Sequence, residues 1–373
     1  MSDKHLHIVM HDVPYPADFG GVIALFYELK SFHAIGLKIH LHCFLNKRPQ
    51  QEILNRYCET IHYYKRRKLS ALSVNIPFIV NTRKSNSLLL NLQKDNHPIL
   101  LQGIHCTYYL NKNKLSGRKI FIRLHNVEYR YYEQLAKWES NFLKKKYFQY
   151  EARLLKKYED NIANKAKIVT LSTEDAALYV KEFGAKEISF LPVFLPYEQV
   201  SSLTGNGAYC MYHGNLCINE NETAAIWLIE KLFQQLQIPL VIAGKNPSKK
   251  LVHIASKNKH ISIVSNPSEI NMQLLIANAQ INILPSFNNT GVKLKLLNAL
   301  FNGRHCIVNL AGVEGSGLNE LCTLADGKQA FTEKIVQLFN ESFTHKEIQH
   351  RSAALKKLYN NKKSAELFSD MLQ

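Results

Sequence analysis

Short apolar runs alternate along this chain with longer stretches in which apolar residues recur every third or fourth position. The runs LHIVM (6–10), KIHLHCF (38–44), PILLQG (98–103), KIFIRLH (119–125) and IVTLS (168–172) predict strands. Between the first two, residues 22–35 have helical spacing and stop at Gly36, a suitable C-terminal cap. Residues 128–163 predict a long, charged, aromatic-rich helix that breaks near Ser140 and Asn141. Ser172 and Thr173 suit the N-cap of a helix in EDAALYVKEF. Over 195–207 the pattern lapses into a polar linker with Pro and Gly. It then restarts with AYCMYHGN (strand and loop), ETAAIWLIEKLFQQL (helix), PLVIAGK and HISIVS (strands), INILPSFNNTGVKLKLLNALFNG (strand, loop, helix) and RHCIVNL (strand).

Strands separated by helical segments indicate parallel sheets with crossover helices. At 373 residues the chain exceeds one hydrophobic core, so two α/β domains are expected. The first spans 1–200 and the second 201–351, with the closing helix, about 352–373, free to pack back on the first. Two doubly wound sheets facing a central cleft would turn their strand C-termini toward it, where such sheets bind ligands.

Residues 281–303 carry the strongest chemical signal. A helix beginning near Thr290 and Gly291 would offer unpaired backbone amides and a positive dipole end, and Gly291 has no Cβ to keep a diphosphate away. Val292 shares that entrance, and Lys293 and Lys295 add ammonium groups. Helical periodicity puts 291, 295, 298 and 302 on one face, so Lys295 and Asn298 would point to whatever Gly291 admits. The plainer alternative is an ordinary crossover helix with a solvated lysine stripe. Gly20 and Gly21 lie between the first strand and first helix, where they either admit an anion or only make a tight turn. His125, Asn126 and Glu128 end the strand KIFIRLH; the histidine can donate to a sugar hydroxyl or phosphate while Glu128 orients its neighbours. Gly214 with Asn215, Gly244 with Lys245, and Glu314 follow later strands, and their recurrence at strand ends outweighs any one of them.

Charge and cysteine usage narrow the class. The net charge of +17 is uneven: residues 1–200 hold 30 Lys+Arg against 18 Asp+Glu, the remainder 17 against 12. A basic first half suits an anionic membrane surface or a phosphorylated lipid. Nucleic acid is disfavoured by the lack of a recognition helix, zinc finger or RNP-like motif, and a dehydrogenase by the lack of G-x-G-x-x-G after the first strand. Seven cysteines without a C-x-x-C pair fit reduced thiols, and sixteen histidines without H-E-x-x-H or a compact Cys/His cluster predict no metal. With no run of roughly 18 to 20 apolar residues and no signal-peptide core over 1–10, the expectation is a cytoplasmic protein.

Taken together, PYPADFGG, RLHNVE, YEARLLKKYE, IVTLSTED, YHGNLCINENETAAIWL, LVIAGK and LPSFNNTGVKLKLLNALFNGRHCIV resemble the family 4 retaining glycosyltransferases of GT-B architecture, over almost the whole chain. The resemblance implies two Rossmann-like domains, a nucleotide-sugar donor, retention of configuration and no metal. It implies that Gly20 and Gly21 contact the donor phosphate, that His125 meets the transferred sugar, and that Gly291 and Val292 offer amides to the diphosphate. Front-face displacement would need no carboxylate base, since the departing phosphate oxygen takes the acceptor proton. The chain departs from the family where two glutamates are usual, here Thr290 and Asn298, and where an arginine and a lysine are usual, here Asn215 and Asn221. Lys293, Lys295 or Lys245 is expected to replace the missing cations. The implied activity is sugar transfer of the hexosyltransferase (EC 2.4) type to a glycan, polysaccharide or lipid-linked acceptor. Basic runs Lys65, Arg66, Arg67, Lys68 and Lys144 to Lys146 would suit the inner membrane face. The alternative is a non-catalytic sugar-nucleotide or glycan-binding partner of the same fold.

Overall fold

The computed structural model describes residues 4–18, 20–68, 73–139 and 141–373. The chain divides into two compact units, Met1–Pro196 with Tyr359–Gln373, and Tyr197–Leu358. The first holds strands β1 (His5–Met10), β2 (Lys38–Leu45), β3 (Thr60–Lys65), β4 (Ile99–Gln102), β5 (Ile120–Leu124), β6 (Lys167–Thr170) and β7 (Ile188–Phe190). Their order is β3-β2-β1-β4-β5-β6-β7, and every ladder is parallel. The second holds β8 (Cys210–Gly214), β9 (Leu240–Gly244), β10 (Ile261–Ser265), β11 (Ile281–Ile283), β12 (His305–Val308) and β13 (Thr323–Leu324), in the order β10-β9-β8-β11-β12-β13 and again parallel. Each sheet is Rossmann-like: its order reverses beside the first strand, so β1/β4 and β8/β11 flank a switch point where α/β sheets take ligands.

The strand pleat divides the first unit's core. Leu6, Ile8 and Met10 enter one apolar cluster with Leu25, Leu29 and Phe32 of the helix Gly20–Ala34, while Val9 enters the other with Leu101 and Ile122. The helix Asn361–Met371 belongs to this unit. Its Phe368 stacks on Phe32 at 4.8 Å between centroids and meets Phe121 edge-on at 5.2 Å.

Local signals act where expected. Helices Glu128–Trp138 and Phe142–Ile162 are separated at 139–141; Asn141 caps the second by accepting from the Lys144 amide, and Ser140 lies outside the described residues. Ser172 accepts from the Asp175 amide at 3.0 Å. The first helix starts at Gly20, two residues before its apolar spacing predicts. All seven cysteines are unbridged, and among the described residues no helix is long and apolar enough to cross a membrane.

Candidate functional site

Three adjacent strands of the first unit each end near a histidine. His11 follows β1, His105 lies in the turn Ile104–Cys106 after β4, and His125 follows β5. His11 stacks on His105 at 4.9 Å and meets His125 edge-on at 5.7 Å. Arg83 borders them, its Nε donating to the His11 carbonyl at 3.1 Å. Desolvation first, then the Arg83 charge, holds His11 and His105 well below the ordinary imidazole range. Desolvation and Arg123 bring His125 down to about 3. All three rings are therefore neutral at pH 7, and Nδ1 of His11 and of His105 has no partner among the described residues. Gly103, at φ +72°, lets the chain pass: a Cβ there would lie 2.8 Å from His105 Nδ1.

A buried relay sets the proton on His125. Glu28 and Arg123 form an ion pair at 3.3 Å with both side chains almost fully buried. Gln102 donates its amide nitrogen to Glu28, which leaves its carbonyl to accept at 2.9 Å from His125 Nε2. A carboxylate cannot donate, so the amide has one orientation and His125 carries its proton on Nε2. The sequence suggests His125 as a donor to a sugar; in the fold that N–H is spent on Gln102, and the ring offers the Nδ1 lone pair instead.

Glu128 heads the helix Glu128–Trp138 and is buried. Desolvation, then Glu159, pushes it up to about 8, and Asn126 hydrogen-bonds to it. Glu159 accepts from the amides of Glu128 and Tyr129 at 3.0 and 2.9 Å and from the Tyr179 hydroxyl at 2.6 Å, capping that helix. Desolvation raises Glu159 to about 7. Near neutral pH Glu128 is mostly a carboxylic acid, so it serves as a donor and not as a base. Both folded-state values exceed the ordinary 4.5, so the folded chain holds protons that the unfolded chain has released. Their stability contribution is present below about 4.5 and lost as pH rises through about 7 and 8. The melting temperature should fall across that window, and Glu128→Gln, which cannot ionise, should flatten its upper half. Parallel melting curves for the two proteins would refute the assignment.

In the second unit the loop 284–293 and the helix Leu294–Asn302 follow β11. The helix starts at Leu294, not near Thr290 and Gly291 as the spacing suggests. Asn288 Oδ1 takes both the Thr290 amide and hydroxyl at 2.8 Å, and Gly291 turns left-handed at φ 66°, so helical geometry is interrupted until Lys293. Gly291 and Val292 thus lie in the turn before the helix. The Lys293 ammonium bends back to the Thr290 and Gly291 carbonyls of its own loop. Asn298 accepts from Asn302 at 2.8 Å, along the helix.

Lys295 is different. Its Nζ donates to Asn221 Oδ1 at 3.0 Å and to the Tyr212 hydroxyl at 3.3 Å, and sits 5.0 Å from the Tyr212 ring centroid. Tyr212 in turn donates to the Asn221 carbonyl at 3.0 Å, and Asn221 donates to the Asn215 carbonyl at 3.0 Å. An ammonium has three donors, so one remains beyond these two. Burial lowers Lys295 to about 8, against the pull of Glu220. Glu220 accepts from Ser286 at 2.9 Å and Asn288 at 3.3 Å, and Asn309 exchanges hydrogen bonds with the Ser286 backbone at 2.9 and 2.7 Å. The exits of β8, β11 and β12 are thereby tied together around one cation.

The remaining candidates separate. Gly20 and Gly21 form the first turn of the helix Gly20–Ala34. Gly214 and Gly244 are paired across β8 and β9, and a Cβ on Gly244 would fall 1.9 Å from the Gly214 carbonyl. Strand packing alone therefore requires that glycine. Gly244→Ala is expected to cost about 3 kcal/mol in urea unfolding; a loss below about 1 kcal/mol would show that the strands can part. Lys245 follows β9, and Glu314 is exposed after the short helix Leu310–Val313. The apolar-polar pattern does not single out His11, His105, Gln102, Glu28, Tyr212 or Glu220. His11 and His105 had a usable signal, a histidine within three residues of an apolar run, whereas Glu220 looks like any acid in a first helical turn.

No protein-family model matches the chain. An uncharacterized 44.6 kDa protein in the cps region of Klebsiella pneumoniae is 26% identical over 388 aligned positions, covering 98% of each chain. WaaG, a glycosyltransferase involved in lipopolysaccharide biosynthesis, matches with a TM-score of 0.68 at 12% identity over 99% of both chains. Anabaena HepE, solved in complex with UDP and glucose, matches with a TM-score of 0.68 at 10% identity over 99% of both. From one end to the other, this chain has the GT-B fold of solved glycosyltransferases.

Proposed function

We propose that the chain is a retaining glycosyltransferase that moves a sugar from a nucleotide-sugar donor to a glycan, polysaccharide or lipid-linked acceptor, without a metal at the donor. One observation carries this: the half-buried Lys295 ammonium, held on Asn221 and Tyr212 at the β8/β11 switch point with a donor to spare. Asn221 is where the resembled family has a lysine, so the cation reaches that place from another helix. In this scheme Lys295 and the first amides of the helix Leu294–Asn302 stabilise the departing diphosphate, whose oxygen takes the acceptor proton. Neutral His125 accepts from a hydroxyl of the transferred sugar through Nδ1. The likeness to HepE with UDP and glucose supports a nucleotide-sugar, and the likeness to WaaG supports a glycolipid or polysaccharide acceptor.

Peripheral membrane contact belongs to the same proposal. The helix Phe142–Ile162 begins with Phe142 and Leu143 exposed at 67% and 77%, followed by Lys144 to Lys146. Exposed apolar tips beside ammonium groups suit an anionic lipid surface.

Thermal-shift screening against UDP, GDP, ADP, CMP and dTDP identifies the base: a ligand at a hundred times its Kd adds about 2.7 kcal/mol of stability. The matching nucleotide-sugar should then be hydrolysed slowly, and Lys295→Ala should sharply reduce both responses. One observation favours a non-catalytic binder instead, since Asn298 stands where a glutamate is usual and is engaged with Asn302. Nucleotide binding without turnover of any donor would decide for that role.

A further inference from the structure

Histidines concentrate at the opposite end of the first sheet from the His11, His105 and His125 cluster. His5 and His7 on β1, His40 and His42 on β2, and His62 on β3 share one face, because each pair is two residues apart and the ladders align His7 with His40 and His42 with His62. His97, in the loop before β4, joins them. Six of the chain's sixteen histidines thus lie together, and three form a compact set: ring nitrogens of His5, His40 and His97 all lie within 4.8 Å of one another, each residue half-buried.

We infer that His5, His40 and His97 form a site for one divalent transition metal of the zinc class, with a fourth position open to water. Imidazole nitrogen is a preferred ligand of such ions. A tetrahedral ion with bonds of about 2.0 to 2.1 Å needs ligand nitrogens about 3.3 Å apart. His5 Nδ1 and His40 Nε2 are already 3.0 Å apart, so small rotations bring in the third ring.

Surrounding groups hold the ligands as a metal site requires. His40 Nδ1 lies 2.9 Å from the Thr60 hydroxyl, which can take its proton and leave Nε2 as the lone pair facing His5. The His97 loop is pinned at both backbone polar groups: its amide donates to Asp95 at 2.9 Å, and its carbonyl accepts from Arg118 Nε at 3.1 Å. Asp95 also contacts His7 Nε2 at 3.0 Å and Arg118 at 3.3 Å. An ion here would link β1, β2 and the entrance to β4. Because the ligands lie at strand N-terminal ends, its role would be to staple the sheet and not to activate the donor.

The test is calorimetric titration of zinc chloride into tag-free protein carrying Cys217→Ser, which removes the exposed thiol. One ion per chain and a raised melting temperature are expected, with magnesium giving neither. His5→Ala and His97→Ala should each abolish the binding, while His253→Ala, exposed on a helix of the second unit, should leave it intact. Thr60→Val keeps all three ligands and should weaken zinc about tenfold or more. Circular dichroism confirms folding of each variant, and Thr60→Val carries the test if a histidine variant misfolds. Absent zinc binding, or binding unchanged in His5→Ala and His97→Ala, or unchanged in Thr60→Val, would overturn the site.

Discussion

Lys295→Ala should weaken binding of the matching nucleoside diphosphate roughly 10- to 150-fold, while Lys293→Ala and Lys245→Ala change it less than about threefold. A hydrogen bond to a charged partner is worth about 1.5 to 3 kcal/mol, and Lys295 is the lysine whose ammonium is desolvated and aimed at the β8 exit. Lys293 is bound to carbonyls of its own loop, so its charge is already directed elsewhere. The pH dependence supplies an independent check. Burial, opposed by Glu220 and aided by Lys293, sets the Lys295 ammonium at about 8 in the free protein. A bound diphosphate raises that value, so binding takes up a proton above it. Affinity should therefore be nearly level below about pH 7 and fall toward tenfold per pH unit above about 8. In Lys295→Ala that fall should vanish; calorimetry showing equal slopes in both proteins would remove Lys295 from the donor site.

Arg123→Met should have the largest effect on stability, about 3 to 5 kcal/mol, read as a lower urea midpoint with an unchanged slope. The guanidinium meets Glu28 at 3.3 Å and donates to the carbonyls of Leu191 and Pro192 at 2.6 and 2.7 Å, so its removal strands a buried carboxylate and two acceptors. Adding Glu28→Gln should restore part of the loss by removing the unpaired charge. If the double variant is no more stable than the single, packing of the side chain and not the ion pair explains the cost. The same substitution frees Gln102, and with it the proton position on His125.

Most central strands were legible in the chain because a strand covered on both faces must be apolar nearly throughout, as β1, β4 and β5 are. The strands that escaped notice, β3, β7 and β13, are all sheet edges with one neighbour and largely half-exposed or exposed residues, so they carry no apolar run. The Ser172 cap was legible for a similar reason: its hydroxyl reaches an amide only three residues on.

The site divides along the same line. His125 was visible because it directly ends an apolar run, and Lys295 because it stands beside a glycine turn. What each does was decided elsewhere, by Gln102 and Glu28 for His125 and by Asn221 and Tyr212 for Lys295. Asn221 lies 74 positions from Lys295 and Glu28 lies 74 from Gln102, distances over which no spacing rule operates. The sequence alone determined where the chain pleats, coils and turns, since those choices depend on neighbours within a few residues. The tertiary structure decided which nitrogen bears a proton, which lysine is desolvated and which histidines converge, because parallel register joins strands that crossover helices keep far apart in sequence.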